Sequence, residues 1–252
     1  MAQGRASLQD DAMQAPDFRP LYNQVKDILV QWIIDGRWAP GEALPSEGRL
    51  AQELGVSQGT VRKALDEMAA HRLVVRRQGR GTFVAKHTRQ QSLFHFFHIV
   101  DKAGQKELPT SRILELRPDR ATAEQASRLA LPPRSKVIVM TRLRFLAGKP
   151  VILERITLPG TPFSQLALPL GEELVDELYV LYQEELGVSV AHASERLRAV
   201  KADATTAEML GLDEGAPLLE IERLALDLEG KPVEWRVSLC DTTLHHYFVE
   251  ID

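Results

Sequence analysis

Apolar residues between positions 20 and 70 recur at helical spacing in three separate runs. The first run follows an i, i+4, i+7, i+8 rhythm, which predicts a helix with one apolar face that ends at Gly36. The apolar positions of this helix are Leu21, Val25, Ile28, Leu29, Trp32 and Ile33. Ser46 and Ser57 each precede a further run as an N-cap residue, and Gly55 lies in the tight turn between those runs. Two helices joined by a short turn that contains glycine predict a helix-turn-helix.

The segment that follows alternates β-prone residues with glycine. In LVVRRQGRGTFV, residues 73–84, the stretch QGRG separates two short runs that favour extended backbone. This pattern predicts a β-hairpin. A hairpin directly after the helix-turn-helix predicts a winged helix-turn-helix.

A repeat is the main feature of the C-terminal half. The segment RLALPPRSKVIVMTRLRFLAGKPV, residues 128–151, is similar to MLGLDEGAPLLEIERLALDLEGKPV, residues 209–233, and Arg142 aligns with Arg223. Each copy predicts a short helix, a loop with proline and a β-hairpin, so we expect a duplicated α+β unit whose strands form one antiparallel sheet. Between the copies, VDELYVLYQEELGV predicts a helix with an apolar face. That face contains Leu178, Leu181, Tyr182 and Leu186.

The composition of the chain is typical of a soluble globular protein. At 252 residues, with 44% hydrophobic and 26% charged residues, the chain has the size and composition of two globular domains. Cys240 is the single cysteine, so it predicts neither an internal disulfide nor a Cys/His metal site. The first residues lack the apolar run of a signal peptide, and no stretch approaches the roughly 20 apolar residues of a membrane span. We therefore expect a cytoplasmic protein without a membrane partner.

Charge is divided unevenly between the two halves. The net charge is −4, but residues 1–89 carry 13 Lys and Arg against 10 Asp and Glu, a balance of +3. The remaining residues carry 18 against 25, a balance of −7. Because phosphate contacts depend on the local field of one face, the acidic total does not exclude a nucleic-acid partner.

The basic residues of the N-terminal half lie where a winged helix would contact DNA. The first turn of a recognition helix reaches base edges in the major groove, which favours Gln58, Thr60 and Arg62 as reading residues and Lys63 as a phosphate contact. Glycines on both sides of Arg80 permit a tight wing tip that reaches the minor groove. For any one of these residues the alternative is a solvated basic face, but their ordered combination favours DNA binding.

Residues 20–84 resemble the DNA-binding domain of the GntR family of bacterial transcription regulators. The motifs that carry the resemblance are PLYNQVKDIL, IIDGRWAPGEALPSE, LAQELGVS, TVRKALDEM and RRQGRGTFV. The family commonly has arginine at the positions of Gln58 and Gly48, so base preference at Gln58 is expected to shift from guanine towards adenine. On these grounds the predicted DNA contacts are Arg49, Ser57, Gln58, Thr60, Arg62, Lys63, Gly79, Arg80 and Gly81.

Residues 90–252 resemble the UTRA effector-binding domain, which places the chain in the HutC subfamily of these regulators. The similarity runs through PTSRIL, RLRFLAGKPVILER, ELYVLYQEELGV, the repeat and PVEWR. It implies a ligand site formed by Arg142, Arg144, Glu154, Tyr179 and Glu234. The chain departs from the family at Glu177, where serine is common, and in SLCDTTLHHYFVEI, which replaces an arginine-aspartate-aromatic run.

Strand geometry supports this ligand site independently. Arg142 and Arg144 are two residues apart on a β-prone run, so they lie on one face and can bind a carboxylate or phosphate together. Glu154 is expected opposite Arg142 if the loop around AGK holds an odd number of residues. The alternative is a cross-strand salt bridge on a solvated sheet face. Ser92 and His95, close to the linker, are predicted to support the effector.

The histidines do not predict a metal site. The pairs His95/His98 and His245/His246 lack a third ligand at a recognised spacing, and adjacent residues on a strand face opposite ways. We expect neither a metal nor a cofactor.

Together these observations predict an α+β protein with four segments. They are a mobile tail (1–18), a winged helix-turn-helix domain (19–86), a linker (87–92) and a UTRA domain with a chorismate lyase-like antiparallel sheet (93–252). The predicted function is that of a homodimeric repressor, which binds an inverted repeat in double-stranded operator DNA under control of a small anionic or zwitterionic effector. Two alternatives are a small-molecule enzyme on the chorismate lyase-like fold and an architectural DNA binder without effector. No catalytic Ser/His/Asp set is visible, which argues against an enzyme.

Overall fold

The structure is a computed structural model that describes residues 19–88, 96–174 and 177–250. The expected mobile tail, most of the expected linker, and both Ser92 and His95 lie outside these described residues. Within them, the N-terminal elements are three helices and a hairpin. Their bounds are α1 Leu21–Ile34, α2 Glu47–Leu54, α3 Gln58–Ala70, β1 Val74–Arg77 and β2 Gly81–Val84.

The predicted helix boundaries around the turn between α2 and α3 are confirmed. The Ser46 side chain accepts a hydrogen bond from the backbone N–H of Arg49, and the Ser57 side chain accepts one from Thr60. Gly55 ends α2 in the left-handed conformation, with φ of 65°, which glycine adopts without strain. These local caps determine where α3 begins, and therefore which side chains form its first turn.

The apolar face predicted for α1 is too broad. Val25, Leu29 and Ile33 are buried in the N-terminal core, whereas Leu21 is 51% exposed and Ile28 is 41% exposed. The three buried residues form an i, i+4, i+8 stripe, and Ile28 lies about 100° around the helix from the centre of that stripe. The stripe packs beside Val61, Leu65 and Met68 of α3 in one core, and these three residues are fully buried as predicted.

The C-terminal elements form one large antiparallel sheet with helices packed against it. The long strands are β4 Thr110–Arg120, β5 Lys136–Leu146, β6 Lys149–Pro159, β8 His192–Lys201, β9 Pro217–Leu226 and β10 Pro232–Cys240. The short strands are β3 Ile99–Asp101, β7 Glu173–Leu174 and β11 His245–Tyr247. The helices are α4 Ala123–Arg128, α5 Gly160–Phe163, α6 Leu178–Leu186 and α7 Ala204–Leu210. No helix among the described residues is long and apolar enough to cross a membrane.

Duplication explains the strand order of the large sheet. The sequence β4-α4-β5-β6 recurs as β8-α7-β9-β10, and the order across the sheet is β7-β4-β5-β6-β10-β9-β8. The two copies therefore meet at β6 and β10, which are antiparallel partners at the centre. Side chains of β5 and β6 from the first copy consequently lie beside those of β10 and β9 from the second.

A β-bulge sets the register between β5 and β6. The turn holds two residues, Ala147 and Gly148, so the predicted condition of an odd loop is not met. Phe145 pairs with Pro150, but Arg144 pairs with Ile152, which leaves one extra residue on β6. The bulge supplies the odd residue that the turn lacks, and Glu154 is the direct cross-strand partner of Arg142.

Helix α6 covers one face of this sheet. Leu178 and Tyr182 pack into the largest apolar core of the domain, beside residues of β4, β5 and β6. Tyr179 and Gln183 are also buried, whereas Leu181 and Leu186, which were predicted on the apolar face, are only partly buried. The helix therefore turns a more polar face towards the sheet than its hydrophobic pattern predicts.

Candidate functional site

One acidic residue connects the recognition helix to the wing. Glu47, at the start of α2, accepts a hydrogen bond from Nε of Arg62 at 2.9 Å and another from Nη1 of Arg76 at 3.0 Å. Gln58 makes a long contact of 3.5 Å with the same carboxylate. Arg76 also pairs with Asp66 of α3 at 2.6 Å. These ion pairs hold β1 against the first turns of α3.

Ionisation of Glu47 is favoured by this arrangement. Burial alone would raise the pKa of Glu47, but hydrogen bonds from Arg62 and Arg76 outweigh that effect and hold its pKa below the usual range. The carboxylate therefore remains charged at neutral pH and orients both guanidinium groups.

Several predicted DNA contacts have other partners in this structure. Ser57 and Thr60 share a hydrogen bond of 2.8 Å between their hydroxyl oxygens, in addition to the N-cap bond. Lys63 Nζ lies 4.1 Å from the centroid of the Tyr22 ring, which is the geometry of a cation–π contact. Arg49, in the first turn of α2, and Gln58, the first residue of α3, are both exposed.

The wing tip is narrow and carries an exposed arginine. Gly79 and Gly81 have φ values of 68° and 107°, and both lie in the backbone region that favours glycine. Arg80, between them, is exposed and makes no ion pair within the described part of the chain. Arg77 instead lies over the ring of Phe83, at 4.5 Å from the centroid. Arg80 is therefore an exposed wing side chain that can contact another molecule.

The predicted effector residues of the sheet come together in the interior. Arg142 is 0% exposed and donates a hydrogen bond of 2.5 Å from Nε to Glu154 Oε2. Tyr179, on α6, donates one of 2.9 Å from its hydroxyl to Glu234 on β10. Arg144 is also buried, at 3.8 Å from Glu154. The alternative of a solvated salt bridge is wrong, because α6 covers this face of the sheet.

Arg236 connects the Arg142–Glu154 pair to the Tyr179–Glu234 pair, and the sequence analysis did not predict this residue. It donates to Glu154 Oε1 at 3.2 Å and to Glu234 Oε2 at 2.7 Å. The repeat contained the signal, since the GKPV motifs of both copies align Arg236 with Glu154. Glu234 also accepts a hydrogen bond of 3.0 Å from the hydroxyl of Tyr182, another residue of α6.

Two further carboxylates pair with arginines at the edges of this group. Glu177, noted in the sequence as a departure from the family, accepts a hydrogen bond of 2.6 Å from Nη2 of Arg144. Glu195 of β8 accepts one of 2.7 Å from Nε of Arg223. We call the eight charged residues the Arg–Glu cluster. Its members are Arg142, Arg144, Arg223, Arg236, Glu154, Glu177, Glu195 and Glu234.

The pKa of Glu154 depends on its burial and on the three arginines around it. Burial would raise the pKa of Glu154, but Arg142, Arg236 and Arg144 together lower it far below the usual range. Burial also lowers the pKa of Arg144 to about 10, so this guanidinium is still charged at neutral pH. Glu154 and Arg144 are therefore both charged at neutral pH.

Some N–H groups of the cluster have no hydrogen-bond partner in the described structure. They are Nη1 and Nη2 of Arg142, Nε of Arg144 and Nε of Arg236, and all four atoms are buried. Buried donors are rarely left unpaired in proteins, because each one loses its bond to water. Two of these arginines, Arg144 and Arg236, line a small cavity of about 10 Å³ together with Glu177. This volume is sufficient for about one water molecule.

Of the histidines named in the sequence analysis, His95 lies outside the described residues, and His98, His245 and His246 do not form a group of metal ligands within them. His245 and His246 lie on β11, which pairs with β3, and the ring of His98 packs near that of Tyr247 at 5.3 Å. In the described ranges, no group of three or more His, Cys, Asp or Glu side chains is arranged to hold a metal ion.

Both halves of the chain match known protein families. A model described as "Bacterial regulatory proteins, gntR family" matches residues 21–84, and a UTRA domain model matches residues 104–246. The HTH-type transcriptional repressor NagR of Bacillus subtilis is 30% identical over 222 residues, which are 87% of this chain and 90% of that protein. The Histidine utilization repressor of Pseudomonas putida is 29% identical over 205 residues, 81% of each protein.

A solved structure gives a closer match for the C-terminal half. The ligand-binding domain of a GntR-family transcriptional regulator from Bordetella bronchiseptica is 34% identical, with a TM-score of 0.57. The match covers 62% of this chain and 96% of that domain. It agrees with the antiparallel sheet described above.

The charge of Glu154 should stabilise the fold in a pH-dependent manner. Replacement of Glu154 by Gln leaves three buried arginines without their shared carboxylate, so we expect a loss of about 3–5 kcal/mol in the free energy of unfolding at pH 7. Because the pKa of Glu154 is lower in the folded than in the unfolded chain, its stabilisation is complete above about pH 4.3 and decreases as the pH falls. The difference between the two proteins should therefore be smaller at pH 3 than at pH 7.

Urea unfolding followed by circular dichroism at the two pH values measures this difference. Glu115→Gln is the matched control, because Glu115 forms an exposed ion pair with Arg117 at 2.6 Å. Its loss should cost less than about 1 kcal/mol at either pH. A difference for Glu154→Gln that does not depend on pH would contradict the role assigned to its charge.

Proposed function

Because the chain belongs to the GntR family of bacterial regulatory proteins, of the HutC type with a C-terminal UTRA domain, we propose that it is a homodimeric repressor controlled by a small anionic or zwitterionic effector. Family membership makes the chain a DNA-binding transcription regulator with an effector-binding domain, and not an enzyme. Two of the relatives described above are named as repressors, which supports repression by this chain. The observation that carries the effector proposal is the fully buried guanidinium of Arg142, whose two terminal nitrogens have no hydrogen-bond partner among the described residues.

The proposed DNA surface consists of the first turn of α3 and the wing tip. Arg62 and Gln58 are exposed there beside Glu47, so both can turn from that carboxylate to base edges in the major groove. Arg80 extends from the wing between two glycines and can enter the narrower minor groove. Lys63 contributes phosphate attraction, and Ser57 acts through the cap that begins α3.

The proposed effector site lies within the Arg–Glu cluster. Arg142 retains a free guanidinium fork, whose two parallel N–H groups match the two oxygens of a carboxylate. Arg144 and Arg236 contact Glu154, which is the carboxylate that pairs with Arg142. Tyr179 and Glu234 form the side nearest α6. An anionic group here satisfies donors that are otherwise buried without a partner. Ser92 and His95 remain proposed contributors from the segment before β3.

Helix α6 offers a route from the effector site to the DNA-binding domain. Its residues Tyr179 and Tyr182 bind Glu234 inside the cluster. One turn further along, the side-chain oxygen of Gln183 accepts a hydrogen bond of 2.8 Å from the backbone N–H of His87, just after the wing. An effector that displaces the tyrosines moves the helix that holds this segment. Such an effector binds two arrangements with different affinity, which is the requirement for changing operator affinity.

Arg62→Ala and Arg80→Ala should each weaken operator binding without unfolding the protein. A good base contact is worth about 1–3 kcal/mol, so we expect a loss of about 5- to 150-fold in affinity. The operator is first selected from a library of random duplexes with the wild-type protein. Affinity is then measured by gel shift at one fixed salt concentration, because phosphate contacts make it salt-dependent.

Arg198→Ala is the matched control for these variants, because Arg198 is an exposed arginine of β8 that pairs with Glu220 of β9 at 2.6 Å. It should leave operator affinity within about twofold of wild type, since a surface ion pair contributes little. Wild-type affinity in both Arg62→Ala and Arg80→Ala would rule out the winged helix as the reading surface.

The selected operator should contain an inverted repeat bound by two copies of the chain. One recognition helix reads only a few base pairs, and a two-fold pair of helices reads both halves of a palindrome. Light scattering measures the mass of the free protein and of its complex with the selected duplex. A single chain in both samples would refute the homodimer.

Gln183→Ala should separate effector binding from its effect on DNA. The effector is identified by a thermal-shift screen of small carboxylates, amino acids and sugar derivatives, and its affinity is then measured by calorimetry. Gln183→Ala should bind it within about threefold of wild type but transmit less of the change in operator affinity. Arg142→Met should lose at least tenfold in effector affinity, because it removes the free fork.

Glu185→Ala is the control for these measurements, because Glu185 is an exposed residue of α6. It should retain both effector affinity and the response of operator binding. An unchanged response in Gln183→Ala would exclude the contact with His87 as the route. A chain that binds operator DNA but responds to no small molecule would favour the architectural alternative.

A further inference from the structure

The Arg–Glu cluster is balanced in charge. It contains four guanidinium groups and four carboxylates, and each carboxylate pairs with at least one of the arginines. Charges in a buried site are stable only when an opposite charge compensates them. A ligand that brings a net charge into this site would leave that charge without compensation.

One of these carboxylates, that of Glu177, lies at the N-terminus of α6. Glu177 is the residue before α6 and holds the N-cap position, but its side chain makes no cap hydrogen bond within the described part of the chain. It instead contacts Arg144 at 2.6 Å and lines the small cavity. An arginine beside the N-terminus of a helix is a favourable place for an anion, because the helix dipole and the guanidinium both attract negative charge. In this chain, Glu177 itself supplies that anion.

The arginines of the cluster differ in how many of their guanidinium nitrogens are already paired with carboxylates. Both terminal nitrogens of Arg144 face carboxylates, with Glu177 at 2.6 Å and Glu154 at 3.8 Å. Arg236 is shared in the same way between two glutamates. Arg142 is bound only through Nε, so both of its terminal nitrogens remain unpaired within the described residues. A ligand carboxylate therefore finds one free fork, at Arg142.

We propose that Glu177 is a specificity-determining residue, which excludes phosphorylated ligands and selects a zwitterionic effector. The effector carboxylate binds Arg142, and its protonated amine binds Glu177, so that the site remains balanced in charge. A phosphate ester carries up to two negative charges and no positive one, and Glu177 repels it from Arg144. This inference rests on the proposed effector site and narrows the class of ligand that the site accepts.

Inorganic phosphate is the probe for the exclusion, and the full-length chain is titrated by calorimetry. Wild type should show no saturable binding up to about 20 mM. Glu177→Gln and Glu177→Ser remove the negative charge and free Arg144, so each should bind phosphate at least about tenfold more tightly than wild type. Serine can cap α6, which gives the second variant a favourable side chain at that position.

Two control variants separate charge from size and position. Glu177→Asp retains the carboxylate and should exclude phosphate as wild type does. Glu185→Gln removes an exposed carboxylate from the same helix and should also behave as wild type. Equal phosphate affinity in wild type and in both neutral variants, including no binding by any of them, would overturn the exclusion. Phosphate binding by Glu177→Asp as strong as in the neutral variants would do the same.

A matched set of ligands tests the zwitterion. Amino acids, the corresponding carboxylic acids without the amine, and small phosphate esters are compared by thermal shift with wild-type protein. Only amino acids should stabilise it, and Glu177→Gln should lose that preference. The assignment would be overturned if no amino acid stabilises the wild-type protein. It would also be overturned if a phosphate ester stabilises it.

A different result is expected if Glu177 controls anion access but the site does not regulate DNA binding. If the neutral variants bind phosphate but their operator affinity is the same with and without it, Glu177 still controls anion access. In that case the site would not be the one that regulates DNA binding.

Discussion

The interaction on which the effector domain depends is the pairing of buried arginines with buried carboxylates. Glu154 faces Arg142, Arg144 and Arg236, and each of these side chains comes from one of the three central strands β5, β6 and β10. A buried charge without a partner is strongly destabilising, so these strands cannot slip in register without a large cost. The same requirement holds α6 against the sheet, because its tyrosines complete the hydrogen bonds of Glu234.

Duplication is what allows one sheet to contain such a cluster. Two copies of the same unit meet at β6 and β10, so Arg142 of the first copy and Arg223 of the second lie on opposite sides of the centre. The second copy supplies two arginines and two glutamates to the cluster, whereas the first supplies two arginines and one glutamate. Glu177, from the segment between the copies, completes the balance. Glu154 comes from the first copy and Arg236 from the aligned position of the second, and they bind each other across the junction. A ligand that binds there contacts both copies.

Ion pairs have a different role at the DNA-binding end. Glu47 binds Arg62 and Arg76 at the surface, where the net stabilisation from each pair is small. The effect of the pairs is geometric, since they hold the recognition helix and the wing in a defined relation. The buried and exposed carboxylates thus use the same chemistry for two purposes. Glu154 compensates buried guanidinium groups in the interior, and Glu47 orients exposed ones at the surface.

Local signals in the sequence were sufficient for the elements of the chain. Ser46, Gly55 and Ser57 act through neighbouring backbone atoms, so the helix boundaries were predictable from short motifs. The repeat was likewise sufficient for a duplicated antiparallel unit, and alternation along β5 placed Arg142 and Arg144 on one face.

Long-range contacts decided what those residues do. Burial of the cluster depends on α6 folding over the sheet, and no pattern within β5 or β6 reveals that cover. The bulge between these strands, rather than the length of their turn, brought Glu154 opposite Arg142. Arg236 entered the site because β10 pairs with β6, and Glu177 entered it because the start of α6 lies beside Arg144 of β5. Both contacts join residues that are more than 30 positions apart in the sequence. Sequence by itself determined the caps, the repeat and the families to which the two halves are similar. Only the tertiary structure decided which charges are buried together, because a buried charge depends on neighbours that are distant along the chain.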